Sequence, residues 1–313
     1  MLPKIDIDNH AIILLYHGVT SSRHTDIKNC SGKHIHRDIF EQQMKLISTK
    51  CNPVSLRSLV QMLSTSKALP KNTVAITFDD CFQNVYQNAY PILAKYHIPA
   101  TFFITAGYVN TSKIIWADIL EKTIAALKSK QIVLDFLNES KTYPISNKSE
   151  KIKALFDIKS KLKQIEDTQK NKFMNYFVKK FQEPIAESDT DLYSNLSWEQ
   201  LKEMDSNTLF EIGSHTLNHV ILSQVDIQKA RMEIVESKKT LESHLNHSIN
   251  LFSYPEGQEI HYNENIIQIL KGNNFVCSPS AIWGDNSLGD DPFHLKRIMV
   301  GFNNIAFPYT DIQ

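Results

Sequence analysis

Two carboxylates stand side by side where an apolar run ends, in the segment TFDD that closes with Asp79 and Asp80. Where a strand ends the chain is leaving the sheet, so both side chains can face the same loop region. Adjacent buried carboxylates repel each other, and a divalent cation allows both to stay ionised. One aspartate could then bind a metal while its neighbour acts as a base. Considered alone, the pair is better interpreted as an acidic turn with one aspartate capping the next helix.

Two histidines, His215 and His219, are spaced four residues apart in the segment SHTLNH. On a helix this spacing puts both rings on one face, where they can bind one metal ion. Two histidines and one carboxylate leave an open position for water, which is the arrangement of a catalytic zinc site. Histidines at this spacing also occur on ordinary surfaces, so the pair needs support from its neighbours.

Three further segments place polar groups where predicted strands end. The turn FSYPEG could hold a backbone N–H toward a reacting carbonyl, as an oxyanion hole requires. His17 follows an apolar run and could act as a general acid. Arg297 interrupts another apolar run, and because an unpaired buried arginine is costly, we expect a carboxylate partner such as Asp79. A plain turn, a structural histidine and a surface arginine are the alternatives.

These segments need a scaffold that brings strand ends together. Apolar runs at 11–16, 73–80 and 100–105 are typical of strands buried on both faces. Helices are predicted between and after them at 39–49, 56–63 and 84–96, and shorter strands at 54–56, 211–213, 251–254, 275–279 and 295–300. The alternation favours a parallel α/β sheet or barrel, in which chemistry gathers at the carboxyl ends of the strands.

The middle of the chain differs from the rest in composition and in its hydrophobic pattern. Residues from about 116 to 181 are lysine-rich and helical in pattern, apart from a predicted hairpin at 132–143. We interpret residues of about 110–204 as a mainly helical insertion within a single domain that spans 1–313.

Composition excludes several classes of function. The 313 residues carry 34 basic and 34 acidic side chains, which gives no general attraction to nucleic acid or to an anionic membrane. No stretch approaches the ~18 apolar residues of a membrane-spanning helix. Asp6 and Asp8 stand where a signal peptide would be basic, so a cytoplasmic location is expected. The four cysteines have no metal-ligand spacing and are expected to be free thiols.

In this order, the motifs resemble those of the polysaccharide deacetylases, the NodB-homology proteins of carbohydrate esterase family 4. The resemblance covers residues 11–105 and 205–300, and TFDD and SHTLNH are its most specific elements. It implies a distorted (β/α) barrel that removes acetyl groups from sugars with a divalent metal. Zinc is expected, with cobalt and nickel as alternatives, and the expected substrate is an N-acetylated sugar or glycan intermediate of the cell envelope.

The resemblance assigns a role to each motif residue. Asp79 matches the catalytic base, and the metal ligands match Asp80, His215 and His219. The turn FSYPEG matches the element that binds the oxyanion, with the backbone N–H of Glu256 as donor. Further expected substrate contacts are Tyr254, Pro255 and Trp116. Trp116 could stack on a sugar ring, and a structural anchor between insertion and core is an equally good interpretation.

The catalytic acid is assigned less directly. The family often has a late histidine in this role, and His294 matches that pattern poorly. Relatives that deacetylate poly-N-acetylglucosamine have an N-terminal Tyr-His element, which His17 matches. We therefore expect His17, in its protonated form, to give a proton to the leaving amine.

Three departures from the family pattern affect the expected chemistry. Cys81 replaces a glycine, and Glu256 replaces an aromatic residue, which puts a negative charge beside the expected oxyanion unless its side chain turns away. The arginine that often precedes the turn is absent, and Arg297 could replace it by pairing with Asp79. Two alternatives stay open: a small-amide hydrolase of the allantoinase type and a non-catalytic carbohydrate-binding relative.

Overall fold

The computed structural model describes residues 10–24, 26–65, 68–80, 82–136, 139–181 and 190–301. The strands are β1 (His10–Tyr16), β2 (Gly18–Thr20), β3 (His34–His36), β4 (Asn52–Pro53), β5 (Thr73–Phe78), β6 (Ala100–Ile104), β7 (Gln131–Phe136), β8 (Glu139–Pro144), β9 (Phe210–Ser214), β10 (Asn286–Ser287) and β11 (Ile298–Met299). The helices are α1 (Arg37–Lys50), α2 (Leu56–Leu63), α3 (Tyr90–Lys95), α4 (Trp116–Ala126), α5 (Lys148–Leu162), α6 (Asp167–Phe181), α7 (Thr190–Tyr193), α8 (Trp198–Ser206), α9 (Ile227–Leu245) and α10 (Glu264–Gly272).

A mostly parallel sheet forms the centre of the fold. Its strands lie in the order β10-β1-β5-β6-β9, with β11 paired to β1 and β4 paired to β5. Only the pair of β10 with β1 is antiparallel among these strands of the described chain. Single parallel bridges from Ser214 to Phe252 and from Leu251 to Cys277 continue the pairing beyond β9. The carboxyl ends of β1, β5, β6 and β9 therefore meet along one edge.

Burial on both faces explains the unbroken apolar runs of the central strands. All residues of β5 and β6 are buried. Ile12 and Leu14 of β1 pack with α1 in the larger hydrophobic cluster, whereas Ala11 and Ile13 pack with α2 in the smaller one. Successive side chains of a strand point to opposite faces, so helices cover the sheet on both sides.

The predicted strands near the amino terminus are confirmed as β1, β5 and β6, with boundaries shifted by one or two residues. The later predictions at 251–254, 275–279 and 295–300 reduce to single bridges and the two-residue strand β11. Pro255 and Pro279 explain part of this difference, because proline has no N–H to donate to a strand ladder.

Between β6 and β9 the chain forms helices α4 to α8 and the hairpin β7–β8, so the predicted hairpin is confirmed. Leu120 of α4, Leu155 of α5 and Phe177 of α6 belong to the larger cluster that also contains side chains of β1 and β5. These helices therefore pack on the central core. The division into one domain with an insertion at about 110–204 stays a prediction. Across the described ranges, every helix is too short or too polar to traverse a lipid bilayer.

Candidate metal centre and active-site cavity

Three side chains that can bind a metal lie together at the carboxyl ends of β5 and β9. Asp80 follows β5, and His215 and His219 follow β9; their donor atoms all lie within 4.8 Å of one another. Nε2 of His219 lies 3.2 Å from Oδ1 of Asp80, and Nε2 of His215 lies 3.9 Å from the same oxygen. Ligand atoms of a tetrahedral zinc site are about 3.3 Å apart, given metal–ligand bonds of ~2.0 Å. One cation could therefore bridge all three with small side-chain shifts.

The prediction that the two histidines share a helix face is wrong. Residues 215–219 form an irregular loop, in which Thr216 and His219 have left-handed backbone angles, with φ of 64° and 55°. Left-handed residues end a helix, so the loop itself turns the two rings toward each other, to a centroid distance of 5.0 Å. Glu233 of α9 holds the loop by accepting hydrogen bonds from the backbone and side-chain amides of Asn218, at 2.8 and 2.9 Å.

The polar atoms of this cluster fit a divalent cation. Nδ1 of His215 lies 2.8 Å from the carbonyl oxygen of Ser253, which fixes its proton on Nδ1 and turns the lone pair of Nε2 toward Asp80. Oδ1 of Asp80 and Nδ1 of His219 are buried, and neither has a hydrogen-bond partner among the described residues. Two imidazole nitrogens and one carboxylate oxygen suit zinc and its neighbours in the first transition row. The three side chains form a candidate site for a divalent metal.

The backbone at this site is strained. Asp80 has a φ of 77° and Glu256 a φ of 60°, in a region where non-glycine residues cost on the order of 1 kcal/mol. His219 shares this left-handed geometry. Strained residues persist where the surrounding structure holds them, and they cluster at functional sites. Three such residues around one cavity support a functional role for it.

Asp80 is held ionised by its neighbours. Burial alone would raise the pKa of its carboxyl, but His219, Lys33 and His17 outweigh burial and hold that pKa far below its usual range. Nζ of Lys33 lies 3.9 Å from Oδ2 of Asp80 and 2.7 Å from each oxygen of Asp118. Lys33 and Asp118 were not predicted from the sequence, because they are 85 positions apart and belong to no local pattern.

Asp79, the predicted base, is paired with Arg297, as predicted. The guanidinium donates to both carboxylate oxygens, at 2.8 and 2.7 Å, and Arg297 has no exposed surface. The hydroxyl of Ser253 donates to Oδ2 of Asp79 at 3.2 Å, and Nε2 of His215 lies 4.0 Å from that oxygen. Burial would raise the pKa of Asp79, but Arg297 and His215 outweigh it and lower that pKa. Asp79 is therefore a carboxylate beside the metal ligands.

The turn after Tyr254 contributes Glu256 to the lining of the same cavity. Glu256 and Gly257 both have left-handed φ, of 60° and 58°. A side chain on Gly257 would approach the backbone nitrogen of Ala281 to 2.5 Å, so only glycine fits there. No acceptor for the N–H of Glu256 is found in the described chain. This N–H is available to bind an oxyanion.

The Glu256 carboxylate turns to a lysine. Its Oε2 lies 2.5 Å from Nζ of Lys163, which caps the carboxyl end of α5. Burial would raise the pKa of this carboxyl, but Lys163, with His219 and His261, lowers it to about 2. The negative charge that the sequence placed beside the oxyanion site is therefore neutralised by an ion pair.

The two candidate acids occupy different places. His17 lines the cavity with Asp79 and Asp80. Burial lowers the pKa of its ring to about 4, against the opposing effect of the two carboxylates, and its role as the catalytic acid stays a prediction. His294 is exposed and bonds through Nδ1 to the hydroxyl of Tyr262, at 3.1 Å. Of the two, only His17 can reach a group bound in the cavity.

The cavity has a volume of about 410 Å³ and is walled on one side by α5. That helix contributes Phe156, Lys159 and Ser160 to the lining, and its C-cap residue Lys163 also lines the cavity. Phe156 is 41% exposed, so an aromatic ring faces the open space of the cavity. Nothing in the sequence marked Phe156, because an aromatic residue in a lysine-rich helix is equally well placed in a core.

The three predicted substrate contacts are less accessible than expected. Trp116 lies in the hydrophobic core, with Nζ of Lys170 5.6 Å from its ring centroid, and it is absent from the cavity lining. The structural-anchor interpretation of Trp116 therefore fits, and sugar stacking does not. Tyr254 lines the cavity but is buried, with its ring stacked on Tyr262 at 3.9 Å. Pro255 is buried beside it. Cys81, one of the departures from the family pattern, lies outside the described residues.

A family model described as polysaccharide deacetylase matches residues 66–277 of the 313-residue chain. The match contains Asp79, Asp80, both histidines of the loop after β9 and the Glu256 turn. The chain belongs to the polysaccharide deacetylase family.

Relatives and solved structures agree with this assignment. A poly-beta-1,6-N-acetyl-D-glucosamine N-deacetylase of Staphylococcus aureus is 32% identical over 193 residues, 57% of this chain and 64% of that protein. This chain thus matches slightly less than two thirds of that relative's length. The Streptococcus pyogenes deacetylase PplD, solved with acetate, has a TM-score of 0.62 at 20% identity over 96% of both chains. IcaB from Ammonifex degensii has a TM-score of 0.60 at 20% identity over 93% of this chain and 92% of that one. The predicted fold of the deacetylase (β/α) barrel type is confirmed.

Proposed function

We propose that this protein is a metal-dependent N-deacetylase that removes acetyl groups from a poly-N-acetylglucosamine-like glycan. The observation that carries the proposal is the cluster of Asp80, His215 and His219 beside the ionised Asp79 on the wall of an open cavity. The substrate class is supported by the Staphylococcus aureus relative, whose name gives poly-beta-1,6-N-acetyl-D-glucosamine as its substrate. A role in cell-envelope polysaccharide metabolism and zinc as the native metal are part of the proposal, with cobalt and nickel as alternatives.

Each of the proposed active-site residues has a separate role in the reaction. A divalent cation held by the three ligands would lower the pKa of a water molecule and polarise the acetyl carbonyl. Asp79 accepts a proton from the attacking water, since it is ionised and fixed by Arg297. The N–H of Glu256 donates to the oxyanion that develops on the carbonyl oxygen.

The leaving amine needs a proton, because an amide anion is a very poor leaving group. We propose His17 as its donor. Because burial lowers the pKa of its ring, His17 must gain this proton within the catalytic cycle. The ionised Asp79 and Asp80 on its cavity side favour this uptake, because both carboxylates raise the affinity of the ring for a proton.

Metal content and acetate release, measured together, test the function. Wild type purified without chelator would be assayed on β-1,6-linked N-acetylglucosamine oligomers, beside Asp80→Ala and His215→Ala. Lys95→Ala, which changes an exposed side chain far from the cavity, is the control. Near-stoichiometric metal in wild type, with metal and acetate release both lost in the two variants, is the expected result.

Other outcomes separate the alternatives. Wild type without metal would contradict the mechanism at its first step. Bound metal with no turnover on any acetylated glycan would favour a carbohydrate-binding protein, and turnover of small cyclic amides alone would favour the allantoinase-like hydrolase.

A further inference from the structure

Lys163, from the end of α5, reaches the turn that carries the proposed oxyanion donor. The 2.5 Å contact between its Nζ and Oε2 of Glu256 joins side chains that are 35% and 16% exposed. Both residues line the cavity, together with the metal ligands Asp80 and His219. A partly buried ion pair therefore stands beside the candidate metal site.

A lone carboxylate at position 256 would oppose the proposed reaction. The oxyanion would bind at the backbone N–H of Glu256, and a negative side chain on the same residue repels a negative charge that develops there. This repulsion is stronger in a partly buried cavity than in bulk water, because the effective dielectric constant is lower. The ammonium of Lys163 supplies the compensating positive charge at contact distance.

The same contact helps to hold the turn. Glu256 and Gly257 both need left-handed backbone angles, which a non-glycine residue adopts only when its surroundings enforce them. The backbone N–H of Ala281 donates to the carbonyl of Gly257 at 2.9 Å, and that of Gly257 donates to Pro255 at 2.7 Å. These backbone hydrogen bonds do not hold the Glu256 side chain, and its contact with Lys163 fixes it.

We propose that Lys163 is a positioning residue of the oxyanion site, which neutralises the Glu256 carboxylate and holds the turn whose N–H faces the reacting carbonyl. This inference rests on the proposed deacetylase function and adds α5 to the parts of the chain on which the reaction depends. The positive charge at 163 and the negative charge at 256 compensate each other at contact distance.

A double-substitution cycle tests the inference in Zn²⁺-loaded protein. The variants are Lys163→Met, Glu256→Gln and the two combined, with Lys163→Arg as a control that keeps the charge. Acetate is the probe, because its binding to the metal and the adjacent N–H is measurable by calorimetry without turnover. We expect Lys163→Met to weaken acetate binding at least fivefold, Lys163→Arg to bind acetate within twofold of wild type, and the combined variant to bind acetate more tightly than Lys163→Met but less tightly than wild type. The kcat values on β-1,6-linked N-acetylglucosamine oligomers should follow the same order, with KM changed less.

Three results would overturn the inference. Acetate binding that is equal in wild type and Lys163→Met would remove the charge argument. If adding Glu256→Gln to Lys163→Met restores none of the lost acetate binding, the contact between the two side chains would have a purely structural role. Absence of acetate binding to metal-loaded wild type would mean that no anion site exists there.

Failure of the proposed function gives a different pattern, because wild type would bind acetate yet release none from any glycan. Should Lys163→Met fail to fold, Lys163→Gln replaces it in the cycle, since the lysine side chain is one-third exposed and a polar amide is tolerated there.

Discussion

Arg297 and Asp79 form a two-point ion pair in the interior of the protein, although they are 218 positions apart in the chain. The guanidinium fixes the plane of the carboxylate and keeps it ionised, as parallel charge-assisted hydrogen bonds do. Asp79 is therefore the counter-charge of a buried arginine as well as the proposed base. Substitutions can separate these two roles.

Asp79→Asn should abolish acetate release and also destabilise the protein. The variant leaves the Arg297 charge buried without a partner, which costs on the order of 3–5 kcal/mol. Adding Arg297→Met should recover much of the free energy of unfolding but no activity. Urea unfolding and acetate release of the single and double variants measure the two effects.

The control for this prediction is Glu41→Gln, which breaks an exposed contact with Lys95 and should change both quantities little. Near-normal turnover by Asp79→Asn would exclude Asp79 as the base. Equal stability of Asp79→Asn and wild type would contradict the counter-charge role.

The backbone of Asp80 predicts an order of stability for two variants that both lose the metal. Its φ of 77° suits glycine and strains any residue with a side chain. In the presence of EDTA, Asp80→Gly should therefore be more stable than Asp80→Ala by about 1 kcal/mol, the typical difference at such positions. Urea unfolding gives the comparison, and metal analysis shows that neither variant retains the ion. A more stable alanine variant would show that this backbone conformation is not maintained in solution.

The strand ends of the site could be predicted from the sequence because their signals are local. A strand buried on both faces is a continuous apolar run; TFDD closes one of these runs, and SHTLNH directly follows the short strand predicted at 211–213. The pairing of Arg297 with Asp79 was also predictable, since a buried arginine requires a carboxylate. Each of these inferences uses only the local sequence around the residue concerned.

The rest of the site depends on contacts between distant segments. Lys33 near the amino terminus, and Asp118 and Lys163 in the lysine-rich middle, resemble many other charged residues of the chain until the fold brings their partners to them. The left-handed turns at Thr216 and His219 have no glycine to mark them, so the histidine spacing falsely indicated a helix. The cytoplasmic location stays a prediction.

Two aromatic residues of the middle region, Trp116 and Phe156, show the same limit. Trp116 and Phe156 both lie on predicted helical segments, and only the packing of α4 and α5 determines that Trp116 enters the core while Phe156 faces the cavity. Helical periodicity gives the face of a helix but not the neighbour that this face meets.

Phe156→Ala should weaken substrate binding without affecting the chemical step. Its ring is 41% exposed in the cavity and offers an apolar face for a sugar ring. We expect KM for β-1,6-linked N-acetylglucosamine oligomers to rise about tenfold, equivalent to ~1.4 kcal/mol, with kcat within twofold. Val178→Ala on α6 is the control, because Val178 is similarly exposed, at 45%, and lies outside the cavity lining. Unchanged KM would show that the substrate does not contact this part of α5.

The ion pair of Glu256 with Lys163 predicts a pH dependence of stability. The folded-state pKa of Glu256 is about 2, below its ordinary value of 4.5. A carboxyl whose pKa is lower in the folded state stabilises the protein fully above the unfolded-state value and loses this contribution as pH falls toward the folded-state value. The affected window therefore lies below about pH 5.

Glu256→Gln removes the titrating group and should flatten this part of the curve. Between pH 6 and pH 3, the free energy of unfolding of wild type should fall by about 1–2 kcal/mol more than that of the variant. The full shift is not expected, because Lys163 is one-third exposed and solvent screens the pair. Urea unfolding at several pH values, with EDTA present so that metal release does not contribute, gives both curves. Parallel curves would mean that Lys163 does not stabilise the Glu256 carboxylate in the folded protein, and the charge beside the oxyanion site would then have to be neutralised by another group or by protonation.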